Sequence, residues 1–187
     1  MFINVEETPN PETYKFLPEK PLGLDRSYIF KRGDDLRNNV FLKNLFDIEG
    51  VESILLDSNF ISVTKEKKAS WEVLRTILTT KIGTFLEKNN FEISFENQNK
   101  KIEKQENSLS KIEKQICDLL EPRVKPVVAG HGGEISFHSF KEGIGYLELK
   151  GSCAGCPSST ATLKMGIENM LKHYHKEIKE VVEVTNY

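Results

Sequence analysis

The pattern of hydrophobic and polar positions in residues 1–92 predicts a small mixed α/β domain. Apolar residues recur at helical spacing in residues 39–46 and again in residues 70–87, which predicts one short and one long amphipathic helix. Asp57-Ser58-Asn59 separates two apolar runs and is typical of a hairpin turn. The predicted strands lie at residues 2–5, 14–17, 51–56 and 60–64.

Residues 93–107 are predicted to form a flexible polar linker between two domains. From Glu96 to Ser108 the only apolar side chain is that of Ile102. A segment of this composition cannot bury enough apolar surface to fold, so it is typical of an exposed tether. The two domains are therefore expected to reorient relative to each other.

Residues 108–187 predict a second small domain with the order helix, strand, strand, helix, strand. Ser108 is expected to cap the first helix. Pro122 and Pro126 are expected to bend it. An amphipathic stretch from Ser158 to Tyr174 predicts the second helix. The predicted strands lie at residues 134–140, 146–149 and 181–184. The predicted fold class is α+β, with two small α/β domains joined by a flexible linker.

Composition and charge argue against several classes of partner. A net charge of −2 and a pI near 6.1 give no electrostatic reason to expect nucleic acid or an anionic membrane surface. No apolar run approaches the roughly 20 residues that cross a bilayer. The first residues carry no positively charged side chain, so neither a signal peptide nor a transit peptide is predicted. Three cysteines are too few for a disulfide framework and favour a reducing compartment, where thiols serve metals or redox chemistry.

The candidate chemistry lies in a CxxC motif, in which Cys153 and Cys156 stand three positions apart at a predicted strand-to-helix turn. Pro157 suits the first position of a helix, because its missing N–H is not needed there and its φ is already helical. The thiols are therefore expected beside unpaired backbone N–H groups and the positive end of a helix dipole, which both favour thiolate. Thiolate binds metal, but two ligands do not complete a four-thiolate site. The motif therefore needs further ligands from elsewhere.

Three interpretations of Cys153 and Cys156 remain open from the residues. A redox CxxC is disfavoured because the flanking elements lack a βαβ pattern. A zinc site needs two further ligands, which His131 or His138 could supply, although neither has the spacing of a known zinc finger. Iron–sulfur ligation by two protomers, each giving two thiolates, accounts for the half-site.

For Cys117, His131, His173 and His175, a role other than that of metal ligand is favoured. Cys117, in register with Leu120 on the first helix of the second domain, is interpreted as buried apolar filler. His173 and His175 are two positions apart on a helix, so they point in different directions and cannot chelate a metal together. His131, in a glycine-rich loop, is expected to be exposed.

Long stretches of the chain around these residues resemble a known family. Four of them resemble the carboxy-terminal domain of NifU-like (Nfu-type) iron–sulfur proteins: Gly151–Lys164, Gly166–Asn169, Pro122-Arg123-Val124 and Gly132-Gly133-Glu134. The glycine pair is usually preceded by Asp and here follows His131, so no role is carried over for the acidic residue. Four other stretches resemble the Nfu amino-terminal domain: Met1–Pro11, Lys15–Pro18, Phe46–Val51 and Asp57–Thr64.

The resemblance implies a protein that assembles and carries iron–sulfur clusters, and not an enzyme. Cys153 and Cys156 are then the cofactor and metal ligands. They would hold a [4Fe–4S] cluster, with [2Fe–2S] as the alternative, between the protomers of a homodimer. The implied partners are upstream cluster-assembly proteins and recipient apo iron–sulfur proteins, with no nucleic acid and no membrane. Transfer by thiolate exchange requires exposed ligands, on a loop made mobile by Gly151 and Gly155.

An alternative function is that of a thiol–disulfide oxidoreductase that uses the same CxxC motif. The amino-terminal domain contains no cysteine and no histidine, and it is expected to select partners or to modulate transfer. The expected location is the bacterial cytoplasm, or the mitochondrial matrix if a presequence has been removed.

Overall fold

The computed structural model of the protein describes residues 2–36, 39–89, 93, 110–154 and 160–184. The chain divides into two compact units, Met1–Glu96 and Asn97–Tyr187, and each has its own hydrophobic core. Helices and sheets are present in both units, which confirms the predicted α+β class. Apart from Ile93, which is buried in the core of the first unit, the predicted linker 93–107 lies outside the described residues and stays a prediction.

The first unit is built on a five-stranded antiparallel sheet with the strand order β1-β2-β5-β4-β3. Two helices, α1 (Val40–Phe46) and α2 (Trp71–Lys88), pack against each other and contribute buried side chains to its core. The strands are β1 (Ile3–Glu7), β2 (Thr13–Pro18), β3 (Tyr28–Lys31), β4 (Val51–Leu56) and β5 (Ile61–Lys65).

The edge strand β3 was not predicted from the sequence, because its four residues carry too short a pattern to separate strand from loop. Pairing with β4 stabilises it, and Tyr28 and Phe30 alternate into the core. The hairpin between β4 and β5 agrees with the sequence, since the Asn59 amide donates to Asp57 Oδ1 at 3.0 Å in a turn of the predicted kind.

The second unit follows the predicted order, with the first helix in two segments. A three-stranded sheet has the order β6-β7-β8, in which β6 and β7 are antiparallel and β7 and β8 are parallel. The helix between β7 and β8 supplies the crossover that a parallel pair requires. The elements are α3 (Lys111–Arg123), α4 (Lys125–Gly130), β6 (Gly133–Lys141), β7 (Ile144–Gly151), α5 (Thr160–Tyr174) and β8 (Glu180–Glu183).

The start of α3 differs from the prediction. Ser110, and not Ser108, is the N-cap; its side chain accepts from the Glu113 amide while the Glu113 carboxylate accepts from the Ser110 amide. This reciprocal capping box satisfies two backbone donors that an uncapped helix would leave unpaired. The predicted cap, Ser108, lies outside the described residues. The break between α3 and α4 at Val124 agrees with the predicted bend, since Pro126 lies in the first turn of the next segment.

Among the described residues, no helix is both long enough and apolar enough to cross a membrane.

Candidate cysteine site

Cys153 lies two residues beyond the end of β7, where the chain leaves the sheet toward α5. Its side chain is 1% exposed and belongs to the same hydrophobic core as Leu149 and Ile167. The second cysteine of the motif, Cys156, lies with Pro157 in residues 155–159, outside the described residues. The geometry between the two thiols therefore stays a prediction.

The turn before β6 holds Cys153 in place. Gly133 pairs with Gly151 across β6 and β7, and the Ser152 amide donates to the Gly132 carbonyl at 3.2 Å. A Cβ atom at Gly133 would lie 2.7 Å from the Cys153 sulfur and 2.9 Å from the Lys150 carbonyl oxygen. Because real Cβ atoms do not approach other atoms this closely, only glycine at position 133 leaves room for the sulfur where it lies.

Two further glycines shape the same region through the backbone. Gly132 has a φ of 75° and Gly151 a φ of 65°, both in the left-handed region that favours glycine. Gly132 is thereby able to end α4 and start β6 within two residues, and Gly151 turns the chain out of β7. Gly132 and Gly151 are thus needed for conformational reasons, and Gly133 for a steric one.

Cys153 is buried, whereas transfer by ligand exchange predicts an exposed cysteine. The sequence argument requires exposed ligands, whereas the Cys153 side chain is almost fully covered. That expectation is wrong for this cysteine in the structure. In this buried position, the sulfur is not accessible to a metal ion or to a recipient thiol.

The structure also corrects the expectation for His131. Its side chain is half-buried, and the ring nitrogen Nδ1 is shielded from solvent with no hydrogen-bond partner among the described residues. The His131 amide donates to the carbonyls of Val127 and Val128 and so ends α4. His138 is exposed, with Nδ1 lying 3.2 Å from the Ser139 hydroxyl.

Cys117 is half-buried on α3, while Ile116 and Leu120 beside it fill the core. The prediction that Cys117 is buried filler is therefore wrong. Burial, followed by the negative charges of Glu121 and Asp118, raises the pKa of the Cys117 thiol. A thiol with a raised pKa is less available as thiolate, so Cys117 is less suited to bind metal than an unperturbed cysteine.

Within the described ranges, no three side chains of His, Cys, Asp or Glu are grouped closely enough to hold a metal ion. A site that includes Cys156 lies partly outside these ranges. The donor chemistry of Cys153 itself fits an iron–sulfur cluster, because thiolate sulfur is the soft ligand that such clusters take.

The role of Gly133 was missed in the sequence, although the pair Gly132-Gly133 was noted. The signal in the sequence is the position of a glycine directly before a predicted strand, 134–140, where glycine weakens the strand and often marks a close approach. Such a glycine indicates close approach of another group, here the sulfur of Cys153.

Comparison with known proteins assigns both units to one family. A family model described as "NifU-like domain" matches residues 116–182, and one described as "Scaffold protein Nfu/NifU N terminal" matches residues 3–89. The mitochondrial NFU1 iron-sulfur cluster scaffold homolog of Homo sapiens is 35% identical over 185 residues, covering 98% of this chain and 72% of that protein. Its counterpart in Drosophila sechellia is 34% identical, over 98% of this chain and 65% of that protein. The chain thus spans somewhat less than two thirds of the Drosophila relative.

Two solved structures are also similar to parts of the chain. The crystal structure of protein SAV1430 from Staphylococcus aureus is 31% identical, covers 44% of this chain and 99% of that chain, and has a TM-score of 0.39. The solution structure of a NifU-like protein from Saccharomyces cerevisiae is 19% identical, covers 52% of this chain and 87% of that chain, and has a TM-score of 0.46.

Both family domains are matched in the expected order, and the human relative is similar over nearly the whole chain. The protein therefore belongs to the Nfu-type family of NifU-like proteins.

Proposed function

We propose that this chain is a scaffold and carrier for an iron–sulfur cluster, which two protomers hold between them and deliver to apo-proteins. The observation that carries the proposal is the 35% identity, over 98% of the chain, to a human protein named as an iron-sulfur cluster scaffold homolog. The matched NifU-like segment, 116–182, includes both cysteines of the CxxC motif. The role is binding and transfer, and no residue is assigned to catalysis.

Cys153 and Cys156 are the proposed ligands. A cluster held by protein cysteines takes four thiolates, and each chain offers two in this motif. Two protomers related by a two-fold axis supply the four symmetrically. We therefore assign a [4Fe–4S] cluster at the interface of a homodimer, with [2Fe–2S] as the alternative that iron and sulfide counts would reveal.

Transfer is proposed to proceed by exchange of ligands. An incoming thiolate of the recipient forms a bond to iron as the iron–sulfur bond to one scaffold cysteine breaks, and the departing sulfur leaves as thiolate. Each exchange conserves charge and needs no electron donor. Because Cys153 is buried in the structure, movement of the turn 151–154 precedes its part in this exchange.

The proposed partners are upstream assembly proteins that supply the cluster and recipient apo iron–sulfur proteins that take it. Neither nucleic acid nor a membrane is assigned as a partner. The relatives named above are mitochondrial proteins, which supports the mitochondrial matrix as the site of action, with a bacterial cytoplasm as the alternative.

The test is anaerobic reconstitution of the full chain with iron and sulfide, followed by light scattering. The expected product is a brown dimer with about four iron and four sulfide ions per pair of protomers. The contact between two short loops is far below the roughly 1,000 Å² of a stable interface, so chelation of the iron should return the protein to monomer. Cys153→Ser and Cys156→Ser should each abolish both colour and dimer.

Cys117→Ser is the matched control, because it removes the one cysteine outside the motif. It should keep the full iron content and the dimer. A monomer that carries a complete cluster would overturn the two-protomer assignment. A colourless protein that instead catalyses thiol–disulfide exchange through Cys153 would favour the oxidoreductase alternative.

A further inference from the structure

A groove with a volume of about 330 Å³ lies between α1 and α2 in the first unit. The two helices run antiparallel here. Near the start of α1, the ring of Phe41 lies 4.6 Å from that of Phe85 near the end of α2. One turn further along, Lys81 Nζ on α2 donates to the Asn44 carbonyl on α1 at 3.3 Å. Both contacts join α1 to α2 beside the groove.

The floor of the groove is apolar. Phe41 and Leu45 are almost fully buried beneath it, and Phe85 is half-buried with part of its ring open to the groove. Ile77 and Val73, exposed by 38% and 60%, continue the apolar track along α2 at helical spacing. A bulky apolar side chain from a partner would cover the exposed part of Phe85 at this site.

The charged side chains that line the groove are both positive. Lys81 and Lys88 lie about two turns apart on the same face of α2, and both are exposed. The other polar lining residues, Asn44, Thr80 and Thr84, are uncharged, and none of the described lining residues is acidic. An occupant with carboxylates beside an apolar anchor is complementary to this arrangement.

A second copy of the chain fits the groove poorly. In a two-fold arrangement, the same patch meets itself, so Lys81 and Lys88 of both protomers would be brought together without an acidic partner in the groove. Like charges placed together at an interface oppose association. The positive rim therefore favours a different, acidic protein.

We propose that this α1–α2 groove is a docking site for an acidic segment of a partner protein, with a leucine or phenylalanine side chain seated against the exposed part of the Phe85 ring. Carboxylates of the segment pair with Lys81 and Lys88. The proposal does not depend on cluster chemistry, because every cysteine of the chain lies outside the first unit.

The probe is a blocked hexapeptide, Glu-Asp-Leu-Phe-Asp-Glu, titrated into the ¹⁵N-labelled full chain. Its neutral counterpart, Gln-Asn-Leu-Phe-Asn-Gln, separates charge from apolar contact. The acidic peptide should shift amide signals of α1 and of the second half of α2, and the neutral one should bind several-fold more weakly. Binding should weaken further at high salt, because the lysines are exposed.

Two variants test the site without removing core residues. The double change Lys81→Glu and Lys88→Glu should weaken binding about three- to tenfold, whereas the matched change Lys67→Glu and Lys68→Glu, in the exposed turn before α2, should leave it unchanged. Thr84→Trp should fill the groove and compete with the peptide, because Thr84 is exposed and lines it.

Several results would overturn the proposal. One is the absence of amide signal shifts at millimolar peptide, and another is equal binding of both peptides. The others are shifts centred on other elements and unchanged binding by the Lys81 and Lys88 double variant. Concentration-dependent shifts of the same signals without peptide would assign the groove to a second copy instead.

Discussion

Gly133 has no side chain, and this determines where the sulfur of Cys153 lies. The nearest atoms to a Cβ at this position would be the Cys153 sulfur at 2.7 Å, the Lys150 carbonyl oxygen at 2.9 Å and Cys153 Cβ at 3.0 Å. One of the three is main chain, so the contact cannot be relieved by a rotamer change alone. The requirement for glycine is purely steric, since Gly133 does not have a positive φ.

The change Gly133→Ala should therefore displace Cys153 and destabilise the second unit by about 1–3 kcal/mol, the usual cost of overpacking a core. Urea unfolding followed by NMR signals of the second unit measures the loss. Because the sulfur is pushed out of its site, alkylation of Cys153 by iodoacetamide, followed by mass spectrometry, should also become faster.

Gly130→Ala is the matched control at this site. Gly130 lies in α4, and a Cβ atom there meets nothing within 4 Å. Its stability and its rate of Cys153 alkylation should stay close to those of the unchanged chain. If Gly133→Ala behaved in the same way as Gly130→Ala, the steric account of Cys153 would be wrong.

At the scale of elements, Glu168 joins α5 to the edge strand β8. One carboxylate oxygen accepts from Lys172 Nζ at 2.6 Å, and the other accepts from the Val181 amide at 3.0 Å. β8 has only four residues and pairs with a single neighbour, β7. The bond from the Val181 amide to Glu168 therefore adds to a small number of sheet hydrogen bonds. The Lys172 ammonium, and then the Val181 N–H group, lower the pKa of Glu168.

Glu168 should therefore stabilise the second unit in a pH-dependent way. A carboxyl group whose pKa is lower in the folded state contributes stability that is complete above its unfolded pKa. That contribution is lost as the pH falls below the ordinary value of 4.5 and through the lowered value. The difference in urea midpoint between the unchanged chain and Glu168→Gln should be largest near neutral pH and should shrink toward acid.

A matched control for this series is Glu177→Gln, which removes an exposed carboxylate from the turn before β8. The difference in urea midpoint between Glu177→Gln and the unchanged chain should be small at every pH. If the difference in urea midpoint between Glu168→Gln and the unchanged chain stayed constant from neutral pH to well below 4.5, the charge on Glu168 would not contribute to stability.

At the scale of the whole molecule, two units have separate cores, and all three cysteines lie in the second. The described side chains of each core come from its own unit. This division supports a separation of roles, in which the second unit holds the cluster and the α1–α2 groove of the first engages a partner.

The fragment 108–187 should accordingly bind a cluster by itself, because the proposed ligands are all within it. Anaerobic reconstitution of this fragment should give the same iron and sulfide content per protomer as the full chain. The fragment 1–96, which keeps the buried Ile93, should fold and stay colourless under the same treatment. A soluble, folded 108–187 fragment that takes up no iron would contradict this division of roles.

Much of the fold follows from the sequence because the determining interactions are local or periodic. The spacing of apolar residues predicts both long helices, and the alternation after residue 133 predicts the β6–β7 hairpin. The family resemblance rests on runs of residues that a reader of the sequence can see. The identity of Cys153 and Cys156 as candidate ligands also needs only their spacing and context.

The tertiary structure decided what depends on contacts between distant residues. β3 exists because β4 pairs with it, and the carboxylate of Glu113, which caps α3 locally, also accepts from the distant Phe140 amide at 3.2 Å. The burial of Cys153 depends on the glycine at position 133, which is twenty residues away in the chain but adjacent in space. The α1–α2 groove likewise exists only where two helices meet. The strand β3, the burial of Cys153 and the groove each depend on a partner that only the folded chain supplies.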